Sequence, residues 1–134
     1  MNEQITTGQV HHAFLTVSNV ARSRDFYTSL LGFQVAAEFG NRVLLSNGGV
    51  ILGLGPAPNP SWAAKGERFD ENRLGLDHLC LSVGGAAELE QATRILDQHR
   101  VSRGEIEDLP DFKVQVLMLR DPDNIQVELI APYG

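Results

Sequence analysis

A segment of this chain returns 66 residues after its first appearance. His12-Ala13-Phe14-Leu15-Thr16-Val17 is matched by His78-Leu79-Cys80-Leu81-Ser82-Val83, an offset of about half the 134-residue length. No other feature constrains the fold as much, because it predicts two copies of one supersecondary unit. Within each copy, apolar and polar residues alternate, the pattern of a strand with one face on a core. Ala13, Leu15 and Val17 form the apolar face of the first, and Leu79, Leu81 and Val83 that of the second. The opposite faces carry His12, Phe14 and Thr16, and His78, Cys80 and Ser82.

A helical pattern follows each strand. In the first half, Ser18 or Asn19 is the N-cap, Phe26, Tyr27, Leu30 and Leu31 recur at helical spacing, and Gly32 is the stop. In the second, Leu89, Ala92, Ile95 and Leu96 make the buried stripe of a helix running through His99. Three short strands then follow in each half: Gln34–Glu38, Arg42–Ser46 and Val50–Leu54, and again Arg103–Ile106 (weakly), Lys113–Leu119 and Ile125–Ile130. Asp121-Pro122-Asp123-Asn124 joins the last two as a turn. Strand, helix and three strands, repeated, predict an α+β fold of two paired βαβββ modules. One domain is expected over 9–134, with module one at about 9–55, a crossing loop at 56–74 and module two at 75–132. Pro56, Pro58 and Pro60 lie in that loop, whose Trp62 and Phe69 are expected to be buried.

Composition narrows the function. A formal net charge of −6 argues against nucleic acid, whose partners present basic patches to phosphates. With the single cysteine Cys80, no intrachain disulfide is possible, so nothing implies an oxidising compartment. Met1 to Gly8 is polar, and no apolar stretch reaches the ~18 residues of a membrane span. A cytoplasmic protein is expected.

Glu128 lies on the final strand, on the side away from Ile125, Val127 and Leu129. A carboxylate inside an apolar strand is costly unless paired or bound to a cation. His12, His78 and Glu128 thus occupy the polar faces of the first strands of both halves and of the last strand. Two neutral imidazoles and one carboxylate on one side of an ion leave positions open for substrate and water. That arrangement serves non-haem iron oxygenases and also suits Mn, Ni, Co or Zn.

Three motifs carry a family resemblance. His11-His12-Ala13-Phe14-Leu15-Thr16-Val17-Ser18-Asn19-Val20, with Ser23, Phe26-Tyr27 and Leu31-Gly32-Phe33, resembles the opening module of vicinal oxygen chelate proteins. This is the superfamily of glyoxalases, bleomycin resistance proteins and extradiol dioxygenases. Gly75-Leu76-Asp77-His78-Leu79 resembles the start of their second module, and Arg120 to Leu129 their closing hairpin. The resemblance implies βαβββ modules whose mixed sheets curve round a metal, usually in a homodimer. It leaves open whether a site is completed within one chain or across the dimer. It implies His12, His78 and Glu128 as the ligands of one divalent ion, with Fe(II) favoured. His11 is excluded, because Val17 follows His12 by five residues as Val83 follows His78. Aligning Asn47–Pro56 with Asp123–Pro132 puts Leu52 where glyoxalase I-like members carry a fourth ligand, a carboxylate. Neighbouring Gly53 has no side chain to ligate. The His, His, Glu set resembles instead the extradiol dioxygenase and fosfomycin-resistance branches.

The leading reading is therefore an enzyme whose metal takes two neighbouring oxygens of a small organic substrate. A proton-shuttling isomerase needs a further base, which the crossing loop would have to supply from Glu67, Asp70 or Glu71. Oxygenase-like or metal-assisted addition or lyase chemistry is favoured accordingly. The alternative is a metal-free, drug-sequestering protein of the bleomycin-resistance kind, to which a charge of −6 would attract a cationic drug. A scaffold with a vestigial site is a third reading. Gln115, Gln126, Trp62 and Phe69 are the candidate substrate contacts, while Cys80 and Tyr27 are expected to serve packing. Arg42, Arg68, Arg73 and Lys113 are cations that could meet an anionic substrate.

Overall fold

The computed structural model describes residues 3–133. Met1 and Asn2, which begin the polar leading stretch, and Gly134, the last residue of the expected domain, lie outside the described residues. The chain divides into two compact units, Met1–Ala63 and Ala64–Gly134, so the expected crossing loop is shared between them.

The first unit holds β1 (His12–Thr16), α1 (Val20–Leu31), β2 (Gln34–Phe39), β3 (Arg42–Ser46) and β4 (Ile51–Gly55). Its sheet has the order β1-β4-β3-β2, with β1 parallel to β4 and the other pairs antiparallel. Asn19 starts α1 by accepting a hydrogen bond from the Arg22 amide, and Gly32 ends it in the left-handed conformation that a residue without Cβ adopts most easily. One sheet face is sealed by α1. Leu15, Val43, Leu45, Leu52 and Leu54 are buried, with Tyr27 and Phe33 contributed from the helix and the residue after its cap. Each such side chain contributes about 1.5–3 kcal/mol on leaving water.

The second unit repeats the plan with β5 (Leu79–Ser82), α2 (Ala86–Gln98), β6 (Glu107–Leu109), β7 (Val114–Arg120) and β8 (Gln126–Pro132). The order is β5-β8-β7-β6, again with the first pair parallel. Leu89 and Leu96 of α2 are buried, as are Leu117, Leu119, Val127 and Leu129 of the strands. Both units are thus βαβββ modules with mixed sheets, and the fold is α+β. No helix among the described residues is long and apolar enough to cross a membrane.

Two sequence expectations need correction here. The weak strand expected at Arg103–Ile106 is only an isolated bridge from Arg103 to Leu119, and β6 begins at Glu107. Arg103 directs its guanidinium to both carboxylate oxygens of Asp97 at 2.8 and 2.9 Å, which ties this stretch to the end of α2. Trp62 is not buried: it ends a short 3-10 turn, Pro60–Trp62, and is 86% exposed.

The segment before β5 is instead fastened through its backbone and charges to the β7–β8 turn. Asp121 Oδ1 accepts from the amides of Asp123 and Ile125, both at 2.8 Å, and this fixes the turn. Phe69 donates its N–H to the Asp123 carbonyl, and its own carbonyl accepts from Asn124 Nδ2. Arg120 holds both oxygens of Glu71 at 2.8 and 2.9 Å. That two-pronged hydrogen bond is the first cause of the Glu71 pKa falling from about 4.5 to about 2. Because the folded value lies below the unfolded one, the pair stabilises the fold above about pH 4.5. The stabilisation fades as the pH falls towards 2. Thermal melts of the wild type and Glu71→Gln should therefore differ by a constant amount near neutrality and converge between pH 4.5 and 2. A gap that persists unchanged at pH 3 would show that the carboxylate charge does not hold this loop.

Candidate metal centre

Strand pairing decides which side chains share a face. In the second unit, parallel pairing sets Cys80 beside Glu128, and antiparallel pairing sets Met118 on the other side of Glu128. This face is the one not covered by α2. His78 stands just before β5, on the same side as Cys80 by strand alternation. Its Nε2 lies 3.8 Å from Glu128 Oε1. Its Nδ1 is 2.7 Å from Asp77 Oδ1. One ring nitrogen is therefore engaged, and the other faces a carboxylate too far away for a hydrogen bond.

Those distances suit a cation. Two donors bound to one ion at about 2.0–2.2 Å are roughly 3–3.5 Å apart at the usual ligand angles. A shift of a few tenths of an ångström would close the observed 3.8 Å. The Glu128 side chain is 22% exposed, so its charge is partly withdrawn from water. Cys80 is exposed, against the expectation of a packing role, and its thiol donates to Glu128 Oε1 at 3.6 Å. Desolvation first, then the Glu128 charge and that hydrogen bond, push its pKa up to about 11. Cys80 thus meets Glu128 as a neutral S–H at physiological pH.

His12, the first residue of β1, is exposed on the polar face of the first unit. Its Nδ1 is 2.9 Å from His11 Nδ1, so the ring again has one nitrogen engaged. Among the described residues, no group of three or more His, Cys, Asp or Glu side chains is arranged to hold an ion. The second unit offers a pair, His78 and Glu128, and the first offers His12.

The first unit answers the question of a fourth ligand, with a correction. Val17 donates to Gly55 as Val83 donates to Ile130, and Phe14 pairs with Gly53 as Cys80 pairs with Glu128. Gly53, not Leu52, is therefore the counterpart of Glu128. The β7–β8 turn is one residue longer than the β3–β4 turn: Arg120 pairs with Gln126 but Ser46 with Ile51. Ungapped alignment across the turns slips by one residue, which exchanges the faces of a strand. Leu52 points to the core and is 3% exposed. Above Gly53 lies the Phe14 ring, 2.3 Å from where a Cβ would stand. The Arg42 guanidinium rests 5.2 Å from the ring centre. The position that carries a carboxylate in the second unit thus carries an aromatic ring capped by a cation in the first.

The expected substrate contacts fare unevenly. Gln126 is 5% exposed and gives its amide to Asp77, at 3.0 Å to Oδ1 and 3.2 Å to the carbonyl, so it is spent on the protein itself. Gln115 pairs with Ala131, on the helix-covered face away from Glu128; Met118 takes the place beside Glu128. Trp62 is exposed in the first unit, and Phe69 is partly buried in the second, pinned by its backbone. Of the proposed loop bases, Glu71 is held ionised by Arg120, while Asp70 accepts from the backbone and side chain of Asn72, which lowers its pKa. A depression of about 430 Å³ beside Gly32, Gln34 and Asn47 includes none of the expected site residues. Asp77, which the sequence offers only as part of the Gly75–Leu79 motif, is the unexpected partner of both His78 and Gln126. An acid immediately before a candidate histidine is the signal that could have found it.

Comparison with known proteins places these features in context. The family model described as Glyoxalase/Bleomycin resistance protein/Dioxygenase superfamily matches residues 9–129. Catechol-2,3-dioxygenase of Bacillus subtilis (strain 168) is 30% identical over 123 residues, 91% of this chain. The chain spans only 41% of that protein's length. The structure of a glyoxylase/bleomycin resistance protein/dioxygenase domain from Frankia sp. EAN1pec matches with a TM-score of 0.77 at 24% identity, covering 96% of this chain and 95% of that one. A mutant of the fosfomycin resistance protein FosX from Listeria monocytogenes, complexed with Mn(II) and 1S,2S-dihydroxypropylphosphonic acid, matches at 0.74 with 14% identity, covering 95% and 92%. The two structural likenesses show the fold.

The Phe14 and Gly53 contact yields a prediction. Gly53→Ala should cost about 1–3 kcal/mol in urea unfolding, because the new methyl displaces the ring. Added to Phe14→Ala, the same change should cost almost nothing. Equal costs in both backgrounds would mean that the ring does not lie over Gly53.

Proposed function

Because the chain belongs to the glyoxalase/bleomycin resistance protein/dioxygenase superfamily, we propose that it is a metal-dependent enzyme acting on a small organic substrate through two neighbouring oxygens. In this reading His12, His78 and Glu128 hold one divalent ion. The observation that carries it is the pairing of His78 Nε2 with Glu128 Oε1 at 3.8 Å, with Nδ1 already engaged by Asp77. When bound, the ion acts as a Lewis acid that polarises substrate oxygens. Imidazole and carboxylate ligands suit Fe(II), which we favour, and equally Mn, Ni, Co or Zn. The Mn(II) in the FosX complex supports a divalent ion at this kind of fold.

The chain's own groups argue for the reaction class. Glu128 supplies negative charge to offset that of the cation, and the neutral Cys80 thiol beside it adds none. Gly53 offers no carboxylate, and Glu71, with a pKa of about 2, is too weak a base to take a proton from carbon. The Asp70 pKa is lowered by its hydrogen bonds from Asn72, and Glu67 lies 3.7 Å from the Arg73 guanidinium. Proton-shuttling isomerisation is therefore disfavoured, and oxygenase-like or metal-assisted addition or lyase chemistry is preferred. The likeness to a catechol dioxygenase supports the first of these. A homodimer, common among such proteins, is part of the proposal.

Metal-free protein titrated with Mn(II), Ni(II), Co(II) and Zn(II), and with Fe(II) under nitrogen, tests the reading by calorimetry and EPR. The wild type should bind one ion per chain. Ala at His12, His78 or Glu128 should weaken binding by more than the 10–100-fold that loss of an outer-shell partner costs. Failure of the wild type to bind any of the five ions, with tight binding of a cationic drug such as bleomycin, would replace this reading with a sequestering one.

A further inference from the structure

His78 lies between two carboxylates in the second unit, and they do different things. Asp77 Oδ1 is 2.7 Å from Nδ1, at hydrogen-bond distance; Glu128 Oε1 is 3.8 Å from Nε2, beyond it. An Asp next to a histidine in sequence does not usually reach its ring, because neighbours along a strand point to opposite faces. Asp77 does so from the segment that precedes β5, which begins at Leu79. Its side chain is 68% exposed and would be free to leave, but a third residue holds it. Gln126 is 5% exposed and sends its amide nitrogen to Asp77 Oδ1 at 3.0 Å and to the Asp77 carbonyl at 3.2 Å. Buried amides need partners, and here both acceptors belong to one residue.

We propose that Asp77, clamped by Gln126, is a positioning residue for His78: its carboxylate keeps the ring proton on Nδ1 and leaves the Nε2 lone pair facing Glu128. The inference deepens the metal reading and rests on it for its purpose, though the tautomer itself is a property of the metal-free chain. A metal-binding histidine must offer a bare nitrogen, and which nitrogen is bare follows from the hydrogen bond that the other makes. Asp77 accepts in one geometry only, because Gln126 fixes both its backbone and its carboxylate. Without that clamp, the imidazole would be free to rotate and to carry its proton on the nitrogen that must bind.

The repeat supplies an independent parallel. Asp77 and His11 are separated by the same 66 residues as His78 and His12. His11 Nδ1 lies 2.9 Å from His12 Nδ1, so in both units the residue before the histidine engages Nδ1 and spares Nε2. The two supports differ in kind. Asp77 can only accept when ionised and is anchored by a buried amide, whereas His11 is exposed and can donate or accept. The second unit therefore has the firmer of the two ligands.

Long-range proton–nitrogen NMR of metal-free protein at about pH 8, above the usual ~6.5 of an imidazole, reads the tautomer directly. The wild type should show His78 protonated on Nδ1. In Asp77→Ala the proton should move largely to Nε2, and Mn(II) affinity should fall about 10–100-fold. Asp77→Asn keeps an oxygen acceptor and should restore the tautomer and most of the affinity. Gln126→Leu leaves Asp77 in the sequence but unclamped, and should fall between the wild type and Asp77→Ala in both readouts. A merely structural role for Asp77 would alter the melting temperature without moving the proton. Wild-type protein with His78 protonated on Nε2, or Asp77→Ala with tautomer and Mn(II) affinity unchanged, would overturn the positioning role while leaving the metal site standing. Wild-type protein that binds none of the five divalent ions would overturn the metal reading, and the purpose of the clamp with it.

Discussion

The parallel pairing of β5 with β8 is the contact on which the chemistry of the second unit depends. It sets Cys80 beside Glu128 and Leu79 beside Val127, so one register choice assigns every side chain to a face. Leucine and valine go to the side covered by α2, where Val127 and Leu129 are buried. His78, Cys80 and Glu128 are left on the other side. A slip by one residue would place Glu128 against the helix at a cost of several kcal/mol for an unpaired buried charge, and would bring Val127 out in its place. The apolar core and the polar site are therefore specified together, by the same alternation.

The same scaffold is used twice with opposite results. In the first unit the β1–β4 pairing brings Phe14 to Gly53, where the second unit has Cys80 and Glu128. A Cβ at Gly53 would stand 2.3 Å from the ring, so a larger residue there must displace Phe14. The Arg42 guanidinium over that ring makes the face cationic and aromatic, whereas the face around Glu128 is anionic. The two sheets share one strand order, and the residues on their polar faces give them unlike electrostatics. The histidines at the mouths of β1 and β5 remain alike, each with Nδ1 engaged by the residue before it.

What could be read from the sequence follows from how local each signal is. Alternation and helical spacing are local, so β1, α1, β3, β5 and α2 were legible, as were the Asn19 cap and the Gly32 stop. The grouping of His78 with Glu128 on one face was legible too, because both lie in alternating runs bounded by clear turns. Leu52 was misplaced because the turns differ in length by one residue, and no local pattern reveals that. β6 was misplaced because Arg103 answers to Asp97 on α2, a contact between distant elements. Trp62 was expected inside on grounds of size alone, but three nearby prolines and a 3-10 turn hold its stretch of chain at the surface. Gln126 looked like a substrate contact because it is polar and interior. Its partner is Asp77, the residue before His78.

The hairpin turn that closes the second unit ties these features into one network. Arg120 sits opposite Gln126 across β7 and β8, and it holds Glu71 from the segment that leads into β5. Its guanidinium pKa is raised, first by the Glu71 hydrogen bond. The segment that delivers His78 to the sheet is thus fixed at Phe69 and Glu71 by the turn, and at Asp77 by β8 itself. A loop of roughly a dozen residues would ordinarily be free to move by more than an ångström. Three attachments along its length remove that freedom. The position of His78 Nε2 is therefore set less by β5, which is only four residues long, than by the strand and turn that also carry Glu128.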